Sequence, residues 1–157
     1  MPSILFICTA NICRSPMASA IMQIICSERS DPQLWRIESA GTWANDGDSV
    51  AEGTEIVMDS RGIDVSTHRS RLVRREIINK FDLVLTMERG HKEALQIEFP
   101  DISNRIYMLS EMIGLTFDIR DPYGGPLIGY EKTASDIERI LDEGFDNIQT
   151  LASLIDN

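Results

Sequence analysis

The chain has 157 residues, 43% of them hydrophobic, which is enough to bury a core without a metal or a disulfide. It carries 25 acidic and 15 basic residues, a formal net charge of -10 that argues against nucleic acid or a membrane surface, both polyanions, as partners. No apolar run approaches the roughly 18–20 residues of a membrane span, and the N-terminus has no secretory pattern. The three cysteines, Cys8, Cys13 and Cys26, make no disulfide framework and fit a reducing, cytoplasmic setting.

No repeat, low-complexity tract or linker interrupts residues 1–157, so one domain is expected. Ile4-Leu5-Phe6-Ile7 is a continuous apolar run, the pattern of a strand buried on both faces. Ser15-Pro16 reads as a helix start, a capping hydroxyl followed by a first-turn proline, with Ala18, Ile21, Met22 and Ile25 following at helical spacing. A second strand is predicted over Arg36–Ala40, ended by Gly41, and a helix from Val50 to Arg61, stopped by Gly62. A short helix is expected from Leu72 to Lys80, a strand over Phe81–Met87, a helix from Gly90 to Glu98 before Pro100, and a strand from Arg105 to Leu109. Asp121-Pro122-Tyr123-Gly124-Gly125-Pro126 reads as a loop. One last helix carries Ile137, Leu141, Phe145, Ile148, Leu151 and Ile155 on a single face. Strands alternating with helices imply an α/β fold, a parallel sheet covered on both sides. Ligands bind at the carboxyl ends of such strands, where Cys8 falls.

Cys8-Thr9-Ala10-Asn11-Ile12-Cys13-Arg14-Ser15 therefore joins a buried strand to a helix. Loop amides curled around one point cradle an anion, and the helix N-terminus adds partial positive charge. That field favours a nucleophilic thiolate at Cys8. Arg14 offers a planar fork to two phosphate oxygens, and the Ser15 hydroxyl is placed to donate to the Cys8 sulfur. The alternative, that Cys8 and Cys13 merely fill space, leaves the arginine and the strand-loop-helix setting unexplained. A zinc site fits the Cys8–Cys13 spacing but lacks a second ligand pair, since His68 and His91 are far apart in sequence and Arg14 opposes a cation. No metal or other cofactor is expected.

With Ser39-Ala40-Gly41-Thr42 in the middle and Asp121-Pro122-Tyr123 towards the end, the loop motif resembles the low-molecular-weight protein tyrosine phosphatase family, in the family's order and over nearly the whole chain. The resemblance implies a flavodoxin-like fold of the phosphotyrosine phosphatase I type, with a four-stranded parallel sheet and helices on both faces. It implies metal-independent hydrolysis of phosphate monoesters, with Cys8 as nucleophile, Arg14 and the loop amides gripping the phosphate, and Asp121 as general acid and then base. Asn11 matches the residue that holds the loop in a left-handed turn, and Ser39 and His68 match its supports. Tyr123 is expected as one aromatic wall of the substrate pocket and Trp43 as the other. Cys13 matches a cysteine that forms a reversible disulfide with Cys8, and Cys26 is expected to pack.

Ala10 stands where the family usually has glycine, and its methyl group restricts the backbone and crowds a ligand. The single tyrosine after Pro122 and the Cys8-Thr9 start resemble the bacterial branch that includes protein-arginine phosphatases. That branch carries threonine where this chain has Ile12, whose apolar bulk favours an aromatic ring. Phosphotyrosine is therefore expected over phosphoarginine. Arg69, Arg71, Arg74 and Arg75 either steer acidic phosphopeptides or form a solvated helix face, the second being favoured. Thiol-dependent arsenate reductases share the Cys-x5-Arg loop but relay electrons through later cysteines, and this chain has none after Cys26. The expected partners are a phosphoprotein substrate and inorganic phosphate, as product and inhibitor. A monomer is expected.

Overall fold

A computed structural model describes residues 1–31 and 34–154. Four strands form one sheet: β1 (Ser3–Cys8), β2 (Arg36–Gly41), β3 (Leu83–Thr86) and β4 (Ile106–Met108), in the order β2-β1-β3-β4. All pairs are parallel, with Cys8 opposite Gly41 and Ile7 opposite Thr86. The apolar run of β1 follows from its central place. Ile4, Phe6 and Cys8 enter one core and Leu5 and Ile7 the other, because alternate side chains leave opposite faces.

The first core is roofed by α1 (Arg14–Arg29), α5 (Leu127–Glu143) and α6 (Phe145–Ser153), and contains Met17, Met22, Ile137 and Ile148. The second lies under α3 (Arg75–Ile78) and α4 (Arg89–Glu98), with Ile78, Phe81, Leu95 and Phe99. On the first-core side α2 (Glu52–Ser60), with Val57 and Met58 in that core, leans on α5, where Gly53 faces the Tyr130 ring so closely that a Cβ would meet ring carbons at 2.6–2.7 Å.

Several expectations are corrected. The single last helix is two helices parted at Gly144, where a Cβ would lie 2.9 Å from the Ile140 carbonyl oxygen and 2.9 Å from the Met112 side chain. Its apolar face continues across the break through Phe145 and Ile148, and Ile155 lies outside the described residues. The helix expected from Leu72 occupies only Arg75–Ile78, because Leu72 and Val73 are drawn out to the end of β2: the Val73 amide donates to the Gly41 carbonyl and the Gly41 amide to that of Arg71. Ser15 is no cap. The first helix begins at Arg14, and Cys13 is the residue before it. The strands expected over Phe81–Met87 and Arg105–Leu109 shorten to Leu83–Thr86 and Ile106–Met108, and two short 3-10 helices, Pro100–Arg105 and Leu109–Ile113, follow α4 and β4.

Candidate active site

Strand order reverses between β1 and β3, the crevice where open parallel sheets take ligands. The Cys8–Arg14 loop rises there. Its carbonyls are bonded away from its centre. Those of Cys8, Thr9 and Ile12 accept from the amides of Thr42, Trp43 and Ala51 at 2.9, 3.0 and 2.9 Å. The Cys13 carbonyl accepts from the Met17 amide at 3.2 Å, and that of Asn11 from His68 Nε2 at 2.7 Å. A loop with its carbonyls occupied on the outside turns its amide edge inward, the geometry of an anion cradle. Gly41 makes this approach possible, since a Cβ there would lie 2.3 Å from the Thr9 carbonyl oxygen.

Asn11 is the pivot. Its φ is 59°, the left-handed region that asparagine tolerates. Its amide nitrogen donates to Ser15 Oγ at 2.8 Å and to Ser39 Oγ at 2.9 Å, and its Oδ1 accepts from the Arg71 amide at 3.0 Å. Ser39 and His68 thus both contact Asn11. Burial lowers the pKa of His68, with Arg69 and Arg71 adding to the effect, so the ring stays neutral and donates from Nε2. Ala10 is not in the left-handed region: among the described residues Asn11 is the only non-glycine at positive φ. The missing glycine therefore leaves no backbone strain.

Cys8 Sγ lies 2.8 Å from Ser15 Oγ at the floor of the loop, both groups buried. Arg14 is 1% exposed. Its Nη1 donates to Glu88 Oε2 at 2.9 Å and to the Ile119 carbonyl at 2.7 Å, while Nη2 lies 3.6 Å from Asp121 Oδ2. A buried guanidinium needs such a partner, and Glu88 compensates it. Asp121 itself is held by the Tyr123 amide, which donates to its Oδ1 at 3.1 Å.

Above the loop opens a cleft of about 410 Å³ lined by Cys8, Thr9, Ala10, Ile12, Cys13, Arg14, Trp43, Asn45, Asp48, Asp121 and Tyr123. Trp43 and Tyr123 are 85% and 66% exposed, open aromatic faces at its rim. Asn11 and Ser15 support the loop from behind, fully buried. Burial pushes the thiols of Cys13 and Cys26 up to about 11, so both stay protonated at neutral pH. Among the described residues no group of three or more His, Cys, Asp or Glu side chains is placed to hold a metal, and no helix is long and apolar enough to cross a membrane.

Sequence reasoning missed Glu88 and His91. Both follow β3 at its carboxyl end, a position that itself marks them in a parallel sheet. The arginine cluster is largely paired internally: Arg71 with Glu38, Arg74 with Asp46 and Arg75 with Asp101, which weakens any steering field.

The family model for low molecular weight phosphotyrosine protein phosphatase matches residues 3–153. A protein-arginine-phosphatase of Geobacillus stearothermophilus is 33% identical over 148 residues, 94% of this chain and 96% of the relative. The crystal structure of a low molecular weight protein tyrosine phosphatase from T. tengcongensis superimposes with a TM-score of 0.87 at 36% identity, covering 94% of this chain and 99% of that one. A YwlE arginine phosphatase, solved as a cysteine-to-serine mutant with a phosphorylated active site serine, gives a TM-score of 0.87 at 27% identity over 95% of each chain. Matched along nearly its whole length, the chain belongs to the low molecular weight phosphotyrosine protein phosphatase family, and it is an enzyme of the protein phosphatase class.

Proposed function

We propose that the chain hydrolyses phosphotyrosine through a phosphocysteine on Cys8. The observation that carries this reading is the placing of Cys8 Sγ at the floor of the cleft, bonded to Ser15, with Arg14 and Asp121 beside it. The Cys8 thiolate attacks phosphorus and the bond to the tyrosyl oxygen breaks. Asp121 protonates that leaving oxygen. Arg14 and the loop amides carry the charge of the equatorial oxygens, so the positive charge comes from the protein itself. Asp121 then takes a proton from the water that cleaves the phosphocysteine, and Ser15 steadies the departing thiolate. Inorganic phosphate, the product, fits the same cradle and is expected to inhibit competitively. The phosphorylated active site serine of the arginine-phosphatase mutant supports covalent transfer to this position.

Ile12, Trp43 and Tyr123 line the cleft and support an aromatic substrate. The arginine-phosphatase relative keeps phosphoarginine as a second reading, because its identity to this chain is close to that of the tyrosine phosphatase. Cys13 is proposed as the resolving thiol. If peroxide converts Cys8 to a sulfenic acid, condensation with the Cys13 thiol releases water and forms a disulfide. A monomeric, cytoplasmic enzyme is the proposed setting. The deciding experiment compares phosphotyrosine and phosphoarginine peptides side by side for the wild type and Ile12→Thr. Faster wild-type turnover of phosphoarginine overturns the tyrosine reading, and turnover by Cys8→Ser overturns the covalent mechanism.

A further inference from the structure

His91 is one of two histidines in the chain, is 7% exposed, and sits in the first turn of α4 behind the phosphate loop. Both ring nitrogens are engaged. The Glu88 backbone amide donates to Nδ1 at 3.2 Å. An amide can only donate, so Nδ1 is the acceptor and the neutral ring carries its proton on Nε2. Nε2 lies 2.9 Å from Thr9 Oγ1 and 3.4 Å from Glu88 Oε2. The Nε2 proton therefore goes to the Thr9 oxygen, and the hydroxyl hydrogen of Thr9 is released to serve another acceptor. Thr9 follows Cys8 directly and lines the cleft. Glu88 in turn accepts from Arg14 Nη1 at 2.9 Å, so the His91–Glu88 pair reaches both ends of the loop.

We propose that His91 is a positioning residue, which turns the Thr9 hydroxyl into a hydrogen-bond donor for the bound phosphoryl group and ties it, through Glu88, to Arg14. The charged groups facing the ring are Glu88 from its own helix start, Arg14 from the loop, and Asp118 and Asp121 from the acid loop. Burial outweighs the three carboxylates and lowers the pKa of the ring, and Arg14 acts in the same direction, which keeps the neutral tautomer that the geometry requires. This assignment rests on the Cys8 loop being the phosphate site.

The two halves of the contact are separable. His91→Asn keeps an acceptor near Nδ1 for the Glu88 amide but cannot reach Thr9. His91→Gln places its amide near Nε2 and can still donate to Thr9. The measurements are kcat/KM on an aryl phosphate and the inhibition constant of inorganic phosphate, with melting temperature recorded alongside. His91→Asn is expected to weaken phosphate inhibition and kcat/KM by about 10-fold, the loss of one hydrogen bond to a charged group. His91→Gln should recover most of that loss. Thr9→Val should match His91→Asn and add nothing to it in the double variant, while Thr9→Ser stays near wild type. Thr9→Val leaves His91 and its cap in place, so it tests the assignment even where the His91 variants fold badly. Unchanged phosphate inhibition in Thr9→Val overturns the proposal, as do equal losses in the Gln and Asn variants, or additive losses in the double variant. A wild type that neither turns over nor binds phosphate would instead sink the reading of the loop itself, and this assignment with it.

Discussion

Cys8 Sγ and Ser15 Oγ lie 2.8 Å apart, and a third residue bonds to the same serine. Asn11 Nδ2 donates to the same serine oxygen, also at 2.8 Å. The serine accepts from asparagine and keeps its own hydrogen available to the sulfur, the direction that turnover through Cys8 calls for. Ser15→Ala removes a hydrogen bond to a charged group, worth about 1.5–3 kcal/mol. At about 1.4 kcal/mol per factor of ten, kcat is expected to fall by about 10–100-fold with little change in KM. Steady-state kinetics on an aryl phosphate check this, and an unaltered kcat would show that the contact plays no part in turnover.

Asp121 reaches the cleft rim beside Arg14 Nη2 at 3.6 Å. Asp121→Asn keeps its size and loses the transferable proton. Turnover of a phosphate ester with a basic leaving group is expected to drop by about 10²–10⁴-fold, the usual range for general acid–base catalysis. A nitrophenyl ester, whose leaving group needs no proton, should lose much less. Equal losses on the two substrates would remove Asp121 from the acid role.

Gly41 and Gly90 form a matched pair for testing backbone approach. A Cβ at Gly41 would sit 2.3 Å from the Thr9 carbonyl oxygen and 3.1 Å from the Asn11 amide nitrogen, whereas one at Gly90 meets nothing within 4 Å. Gly41→Ala is expected to destabilise by about 1–3 kcal/mol, as overpacking does. At this chain length that lowers Tm by about 2–4 °C per kcal/mol, and kcat/KM should fall because Thr9 and Asn11 must shift. Gly90→Ala lies in a helix with open space and should hold or raise Tm, by the equivalent of about 0.4–1 kcal/mol. Calorimetry on the two variants distinguishes them.

His68 and His91 both have pKa values lowered from 6.5, chiefly by burial. An unfolded imidazole takes its proton near 6.5 and the folded ones only at lower pH. Between those values the unfolded chain binds more protons, so stability falls as pH falls through 6.5 and levels off once the folded rings are charged. The urea midpoint is expected to be lower at pH 5.5 than at pH 7.5, and the drop should shrink in His68→Asn. The paired carboxylates Asp46 and Asp101, lowered from 3.8 by hydrogen bonds from Arg74 and Arg75, act in a separate window below 3.8. A midpoint that is flat between pH 7.5 and 5.5 would contradict neutral, buried rings.

The parts of the site that sequence made visible are those built from consecutive backbone. Cys8 and Arg14 are fixed relative to one another by a strand end, five residues of loop and a helix start, so reading them needs no knowledge of distant chain. Asn11, Ser39, His68 and Asp121 were placed through family resemblance, and the structure puts Ser39 and His68 against Asn11, and Asp121 beside Arg14. Glu88 and His91 carry no local signal of their partners. Their importance comes from β3 lying next to β1, which brings the chain after Thr86 up to the loop.

By itself the sequence determined the alternation of strands and helices, the buried character of β1 and the tight loop that joins it to a helix, because periodicity, turn chemistry and a contiguous loop are properties of neighbouring residues. Tertiary structure alone decided where the last helix breaks, since Gly144 is pressed against Met112 from another part of the chain. It decided that Leu72 leaves its helix for the end of β2. It also decided how Arg14 is neutralised, how Ser15 serves Cys8 instead of capping a helix, and how His91 comes to face Thr9. Apart from the Ser15–Cys8 contact, each of these depends on burying a polar or close-packed group against a partner distant in sequence, and that free energy exists only once the sheet has brought the two together.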